Sequence, residues 1–420
     1  MSNHPALDRR LGTFDASLIG LGSMIGAGVF AAFTPAAAAA GSGLLIGLVV
    51  AAFVAFCNAT SSAQLAAAYP TSGGTYVYGR ERLGPWSGFL AGWGFVIGKT
   101  ASAAAMALTF AAYAAPQGWE RPVAIAAVVL LTAVNYHGVT RTAGLTRVLV
   151  IAVLLALAIA LAAVWGGSGP DFGGILGDGL LAHGWYGILQ SAGLLFFAFA
   201  GYARIATMGE EVRDPRRTIP KAITIALGIT IVIYAVIALT LLGVLGPQGV
   251  AGTPTPLADA VNSGSMSWAA PVVRIGAAVA SLGALLALIA GLGRTSLAMA
   301  REHDLPTWLS AVHPKYKVPH RAETALAIVT CIVIAVADLR GAIGFSSFGV
   351  LLYYLVANVA AYTQPREDRR YPKFLQVAGG LACVGLVVTL PPLSVGLGVL
   401  MFAMGIVYRF LRLRRDRHNE

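Results

Sequence analysis

Charge is what this chain has least of. Asp, Glu, Lys and Arg together make up 11% of its 420 residues, against about 25% in an ordinary soluble protein. A large soluble domain of buried helices would leave several apolar runs of about 20 residues unexplained. Acidic residues are scarcer than basic ones, 18 against 29. None falls near the middle of an apolar run: Asp15 stands at the start of the first, Glu210 and Glu211 at the end of the sixth. Cysteine is almost missing. Cys57, Cys331 and Cys383 lie in apolar segments, which excludes a disulfide framework and a CxxC redox pair. His137, His183, His303, His313 and His320 fall near loops without ligand spacing, so no metal or other cofactor is expected. No nucleophile and base share one depth in the apolar runs, which argues against a membrane enzyme. The net charge of +11 is spread over loops, with no zinc-ligand spacing and no basic recognition helix, so nucleic acid is not an expected partner.

What is present is apolar. Hydrophobic residues reach 57% and the mean hydropathy is +0.75. The runs predict an all-α polytopic membrane protein with twelve transmembrane helices, at 14–38, 43–67, 86–113, 121–137, 145–165, 186–208, 219–245, 268–298, 322–337, 342–362, 374–391 and 392–410. Pro391-Pro392 supplies the turn between the last two, since proline interrupts helical hydrogen bonding. With the N-terminus in the cytoplasm, 24 of the 29 Lys and Arg lie in inner loops or at inner span ends. Only Arg121 and Arg340 lie outside, and Lys99, Arg204 and Arg274 fall within spans. This bias places both termini inside. No loop is long enough for an extra soluble domain. The polar stretch Met1–Arg10 carries no separate leader, and the first apolar segment is expected to be retained as a span. The largest inner loop, 301–321, begins Arg301-Glu302-His303-Asp304-Leu305-Pro306-Thr307-Trp308, a candidate short interfacial helix or a plain connector.

Two of the runs are poor continuous helix. The first contains Gly22-Ser23-Met24-Ile25-Gly26-Ala27-Gly28-Val29-Phe30, the sixth Phe196-Phe197-Ala198-Phe199-Ala200-Gly201-Tyr202. A bilayer tolerates freed backbone groups only where protein or a cavity satisfies them. Interrupted helices in comparable halves of a chain point to a carrier that binds its substrate near the midplane. The competing reading is that the glycines only permit close helix packing.

At these segments the sequence resembles the amino acid–polyamine–organocation permeases, especially bacterial amino acid permeases. The resemblance covers about residues 11–410. It rests on 22–30, on Tyr69-Pro70-Thr71-Ser72-Gly73-Gly74-Thr75-Tyr76, on Phe197-Ala198-Phe199-Ala200-Gly201-Tyr202, and on Glu210-Glu211-Val212-Arg213-Asp214-Pro215 followed by Ile219-Pro220-Lys221-Ala222. It implies a LeuT-like fold of two inverted five-helix repeats, 14–165 and 166–362, with two additional helices over 363–410. Tails at 1–13 and 411–420 would be cytoplasmic. It also implies alternating access in the bacterial cytoplasmic membrane.

The resemblance places substrate between spans one, three, six, eight and possibly ten. Amides near Ser23, Ile25, Gly26, Ala27 and Gly28 would receive an α-carboxylate at the positive end of the following half-helix, with the Ser23 hydroxyl added. Carbonyls near Phe197, Ala198 and Ala200, beside Gly201, would receive the α-ammonium. Phe197 aligns with an aromatic gate of related exchangers, and Phe199 and Tyr202 are nearby candidates; core packing or a lipid-facing role is the alternative. Ala101, Ala103, Ala104, Ala284 and Leu288 form a small apolar lining that fits a neutral side chain. Arginine–agmatine exchangers carry a tryptophan where this chain has Leu288 and an acid where it has Ala203, which argues against that specificity.

Lys99 is the sharpest single residue. An ammonium in mid-span is costly and faces a cavity or a partner. It is the coupling candidate, either releasing a proton or standing as a fixed cation; the alternative is snorkelling to an interface. Some proton-coupled relatives carry a lysine in span five, at the position that here is Val153, so their route cannot be carried over unchanged. Arg80, Arg82, Glu210, Glu211 and Arg213 are cytoplasmic gate candidates, the inner charged group Glu210, Glu211, Arg213, Asp214, Arg216, Arg217 and Lys221 being able to pair with Arg80 or Arg82 in one conformation; a solvated topogenic loop is the alternative. The leading expectation is secondary active transport of amino acids or related small amines, coupled to protons and favouring neutral side chains. The alternatives are a sodium-independent exchanger, a polyamine or organic amine permease, and a nutrient receptor that does not translocate. No protein partner is required.

Overall fold

The computed structural model describes residues 11–70, 73–138, 143–167, 169–173, 175, 178–209 and 211–419. Among them all regular structure is helical. A chain of Ala, Leu, Val and Ile in lipid has no water for its amides, so each segment must satisfy them internally, which a helix does.

The first apolar run becomes three pieces: α1 (Thr13–Met24), α2 (Ala27–Ala31) and α3 (Phe33–Ala40). Next come α4 (Leu44–Ala68), a short amphipathic α5 (Gly74–Leu83), and α6 (Pro85–Ala114). Gly84, with φ 96°, turns the chain between α5 and α6, a conformation that glycine alone adopts freely. Pro85 opens α6, at the position where a helix has no use for an N–H. Then follow α7 (Glu120–Tyr136), α8 (Ala143–Trp165), α9 (Gly184–Phe199), α10 (Ala203–Ala206), α11 (Pro215–Gly252) and α12 (Pro256–Asn262). The last five are α13 (Ala270–Arg301), α14 (His320–Val336), α15 (Leu339–Tyr362), α16 (Lys373–Thr389) and α17 (Pro392–Asn419).

Nine segments among the described residues are long and apolar enough to cross a membrane. The other three expected spans, 121–137, 322–337 and 374–391, coincide with α7, α14 and α16. Each of these has 17 residues, short of the about 20 a bilayer takes. In α7 and α14 the first turn is polar, Glu120-Arg121 and His320-Arg321, which shortens the apolar stretch. Gly246 leaves the helical conformation inside α11 (φ 65°) just before Pro247, which ends the expected span 219–245 where the apolar run ends. The candidate interfacial helix at 301–308 is not one continuous helix. Arg301 is the last residue of α13, and a 3-10 turn covers Thr307–Ser310.

The interrupted segments lie at the centre. α1 packs on α11 and α8, α9 on α4 and α3, and α6 on α15 and α13. α6 and α15 approach backbone to backbone: a Cβ on Gly349 would meet Gly98 Cα at 2.9 Å, and Ser102 and Ser346 share a 2.6 Å hydrogen bond. Small residues at such a crossing let helices approach without the hydrophobic drive that lipid cannot supply. α17 is the least buried of the nine segments. An isolated parallel bridge joins the start of the first segment to the chain just after α10. Leu11 N–H donates to Glu211 O (3.2 Å) and Arg213 N–H to Leu11 O (2.9 Å).

Candidate functional site

The two interruptions are built differently. In the first, α1 stops at Met24 and α2 starts at Ala27, with Ile25 and Gly26 outside both helices. The opening amides of α2 therefore have no carbonyl one turn earlier within their own helix. In the second, the α-helix ends at Phe199 and tightens into a 3-10 turn over Ala200–Tyr202 before α10. The run expected to be broken is overwound there rather than opened.

The segments interlock through glycine. A Cβ on Gly201 would lie 2.6 Å from Met24 N and closer still to the carbonyl of Ser23. A Cβ on Gly28 would lie 2.7 Å from both Cα and Cβ of Ala198. Each interruption thus presents a bare backbone to the other. Gly26 instead faces α13, 2.7 Å from Ala284 Cβ by the same measure.

Side chains from neighbouring helices engage the exposed carbonyls. The Tyr234 hydroxyl of α11 lies 2.6 Å from Met24 O and 3.1 Å from Ala198 O. Its single proton serves one of them at a time. Lys99 of α6 lies 3.5 Å from Ala200 O, and the Tyr354 hydroxyl of α15 lies 3.4 Å from the same oxygen. Lys99 is 8% exposed, with no carboxylate paired to it among the described residues. The Ser23 hydroxyl donates to Ile19 O (2.9 Å) within its own helix.

The aromatic candidates are buried. Phe199 packs on Tyr234 (centroids 5.0 Å) and Tyr202 on Tyr354 (5.1 Å); Phe197 belongs to the same core. Ile25 and Gly26 line a small cavity of about 20 Å³, walled by Val150 and Val153 of α8 and by Val279, Ala280 and Ala284 of α13, room for about one water. It lies between the first interruption, α8 and α13, where the resemblance places substrate toward α6 instead. Leu288 sits apart from it, in an apolar cluster with Ala103, Ala104 and Ala107 of α6.

In this conformation the described gate candidates have the following partners. Arg80 pairs with Glu302 and Asp304, each at 3.0 Å, and Glu211 pairs with Arg204 at 3.7 Å. Arg82 bonds the Thr363 carbonyl. The Arg213 amide takes part in the Leu11 bridge. Glu210 lies outside the described residues. Asp304, 5% exposed, also accepts from the Tyr76 hydroxyl (2.8 Å) and pairs with Arg409. Burial, then the charge of Asp304, holds the Tyr76 phenol well above its usual range. Charge placed Arg80 and Arg82 among the candidates. Asp304, Arg409, Tyr234 and Tyr354 were not among them. A lone Tyr in the apolar run Ile231-Val232-Ile233-Tyr234-Ala235-Val236 was the available signal, since a hydroxyl at that depth needs an acceptor.

A family model described as amino acid permease matches residues 11–412. The chain is 58% identical to an uncharacterised transporter of Mycobacterium tuberculosis over 417 residues, 99% of this chain and 94% of the relative. It is 26% identical to a branched-chain amino acid permease of Bacillus subtilis and 27% identical to a methylthioribose transporter of that organism. Each of these alignments covers 99% of this chain and 95% of the relative.

Proposed function

Because the chain belongs to the amino acid permease family, we propose that it carries amino acids with neutral side chains across the cytoplasmic membrane by alternating access, driven by protons. The carrying observation is the interlock of Gly201 with Ser23 and Met24, and of Gly28 with Ala198. In this reading the two interruptions, packed through bare backbone, part to offer amides of the first segment and carbonyls of the second to one substrate. This is what the carboxylate and ammonium of an amino acid require.

In this reading twelve spans form two inverted five-helix repeats plus α16 and α17, with both termini inside. The substrate carboxylate meets the first amides of α2. Its ammonium takes a carbonyl now shared by side chains, Ala198 O or Ala200 O, displacing Tyr234 or Lys99. The small cavity beside the first interruption has apolar walls, Ile25, Val153, Val279, Ala280 and Ala284, so a site widened there would favour a neutral side chain. The names of the relatives do not choose the substrate, because a branched-chain amino acid permease and a thiosugar transporter stand at nearly equal identity. Val153 leaves the span-five position without a cation, so Lys99 is the coupling residue of this chain.

The test uses purified protein in sealed liposomes and a panel of radiolabelled amino acids and amines, with and without an inward proton gradient, with Lys99→Ala in parallel. Accumulation above equilibrium that needs the gradient, and that Lys99→Ala loses while binding persists, supports the reading. Uptake that needs preloaded internal substrate and ignores the gradient replaces it with exchange. Binding without any flux would make the protein a receptor.

A further inference from the structure

Glu323 lies in the first turn of α14 and is 3% exposed. Its Oε2 has no hydrogen-bond partner, and no Lys or Arg pairs with it among the described residues. α13 makes room for it. A Cβ on Gly293 would lie 2.6 Å from Glu323 Cγ and 3.1 Å from its Oε1, so the bare backbone there is the notch that seats the carboxyl. A carboxyl buried in this way is either paired or neutral, because an unpaired charge costs too much away from water.

Few groups face it. On α13 Arg294 follows Gly293 directly, acts on Glu323 through space and forms no ion pair among the described residues. Arg301 at the end of α13 and Arg321 on α14 are exposed. α6 carries one charged residue, Lys99, which turns to Ala200 O. α7 holds Glu120 and Arg121 at its far end, where Arg121 donates to Ala335 O. Its near end lays the Tyr136 ring 5.9 Å from that of His320. The 3-10 turn Thr307–Ser310 has no titratable side chain. His320 precedes Glu323 by one turn, on the same side of α14. Its Nδ1 is likewise buried without a partner, and its ring lies 5.3 Å from that of His313 in the loop before α14. Two proton-accepting groups without partners thus stand one turn apart, beside a cation that has none.

We propose that Glu323 is a second proton carrier of the transport cycle, protonated while α13 and α14 stand as here and ionised when Arg294 comes to its carboxylate. The carboxyl O–H bond breaks, the proton leaves by way of His320 Nδ1 to water on the side of the 301–321 loop, and the guanidinium takes its place. The site rests on the proton-driven reading and adds one proton to the one assigned to Lys99.

The test uses the full chain in sealed liposomes with a gradient of about one pH unit, the membrane voltage held at zero by potassium and valinomycin. Each coupled proton then multiplies the steady accumulation of substrate about tenfold. Glu323→Gln keeps the shape of the side chain and carries no proton. It should lower the accumulation ratio about tenfold and the protons entering per substrate, read with a trapped pH dye, by about one. Exchange of labelled for unlabelled substrate, which needs no net proton release, should persist. Glu367→Gln, at an exposed acid, should match the parent in all three. If Glu323→Gln does not fold, Arg294→Gln reads the same step from outside the notch, with net uptake slowed and exchange kept. An unchanged ratio in Glu323→Gln would overturn the site and leave the proton-driven reading standing. Loss of exchange together with accumulation in a folded Glu323→Gln would make the residue structural and overturn the site as well. A parent protein whose accumulation ignores the gradient would remove the reading itself, and the site with it.

Discussion

The hydroxyl of Tyr234 stands 2.6 Å from the carbonyl oxygen of Met24, the last residue of α1, from a helix more than two hundred residues away. The same hydroxyl reaches Ala198 O. One side chain on α11 therefore touches both interrupted segments.

Tyr234→Phe keeps the ring packed on Phe199 and Phe33 and removes only the donor. A buried acceptor left bare costs about 1–3 kcal/mol. Thermal unfolding in detergent should show a lower midpoint and liposome uptake a reduced rate. An unchanged midpoint would mean the hydroxyl does not hold the segments.

Gly201→Ala forces a methyl into the Ser23–Met24 backbone, where neither partner is a flexible side chain. Overpacking costs about 1–3 kcal/mol, and the displacement falls on the proposed site, so transport should fall further than stability. Gly228→Ala in α11, with open space around it, is the control, expected to be neutral or stabilising. Equal behaviour of the two variants would contradict the close approach.

Lys99→Met removes a buried ammonium whose acceptor among the described residues, Ala200 O, lies at 3.5 Å. Holding such a charge among apolar helices is costly, so the variant should unfold no earlier than the parent while losing gradient-driven uptake. Uptake that survives in a well-folded Lys99→Met protein removes Lys99 from the mechanism.

Asp304→Ala strands Arg409, which is itself buried. Breaking a buried pair costs about 3–5 kcal/mol. Glu302→Ala should cost less than about 1 kcal/mol, because Glu302 is 54% exposed and solvent screens its pair with Arg80. Thermal unfolding of the two side by side checks the order.

The helices were legible because lipid imposes long apolar runs on them, and their ends because prolines and glycines punctuate those runs. The first interruption was legible for a similar reason, since Gly26 and Gly28 cluster within one apolar run, although both also allow close packing, on Ala284 and Ala198. The second was visible as a place but not as a shape. The shape of Ala200–Tyr202 is set among neighbours the local sequence does not name, such as Lys99 and Tyr354, which reach Ala200 O from other helices. Partner choice was the least legible feature. Arg80 had nearby acids in the 210–214 loop to choose from by charge alone, and it takes Glu302 and Asp304 because α5 lies across the end of α13. Periodicity and composition describe one helix at a time. These contacts arise between helices far apart in the chain.

The bridge between Leu11 and its partners Glu211 and Arg213 has a mechanical meaning. The lower half of the first interrupted helix and the chain leaving the second are one piece, fastened by backbone and therefore indifferent to side-chain substitution there. Either could swing alone only by giving up two hydrogen bonds, each worth about 0.5–1.5 kcal/mol. With those bonds kept, a tilt of α1 about the Ile25–Gly26 joint would draw the 211–213 segment with it, and with that segment the start of α11.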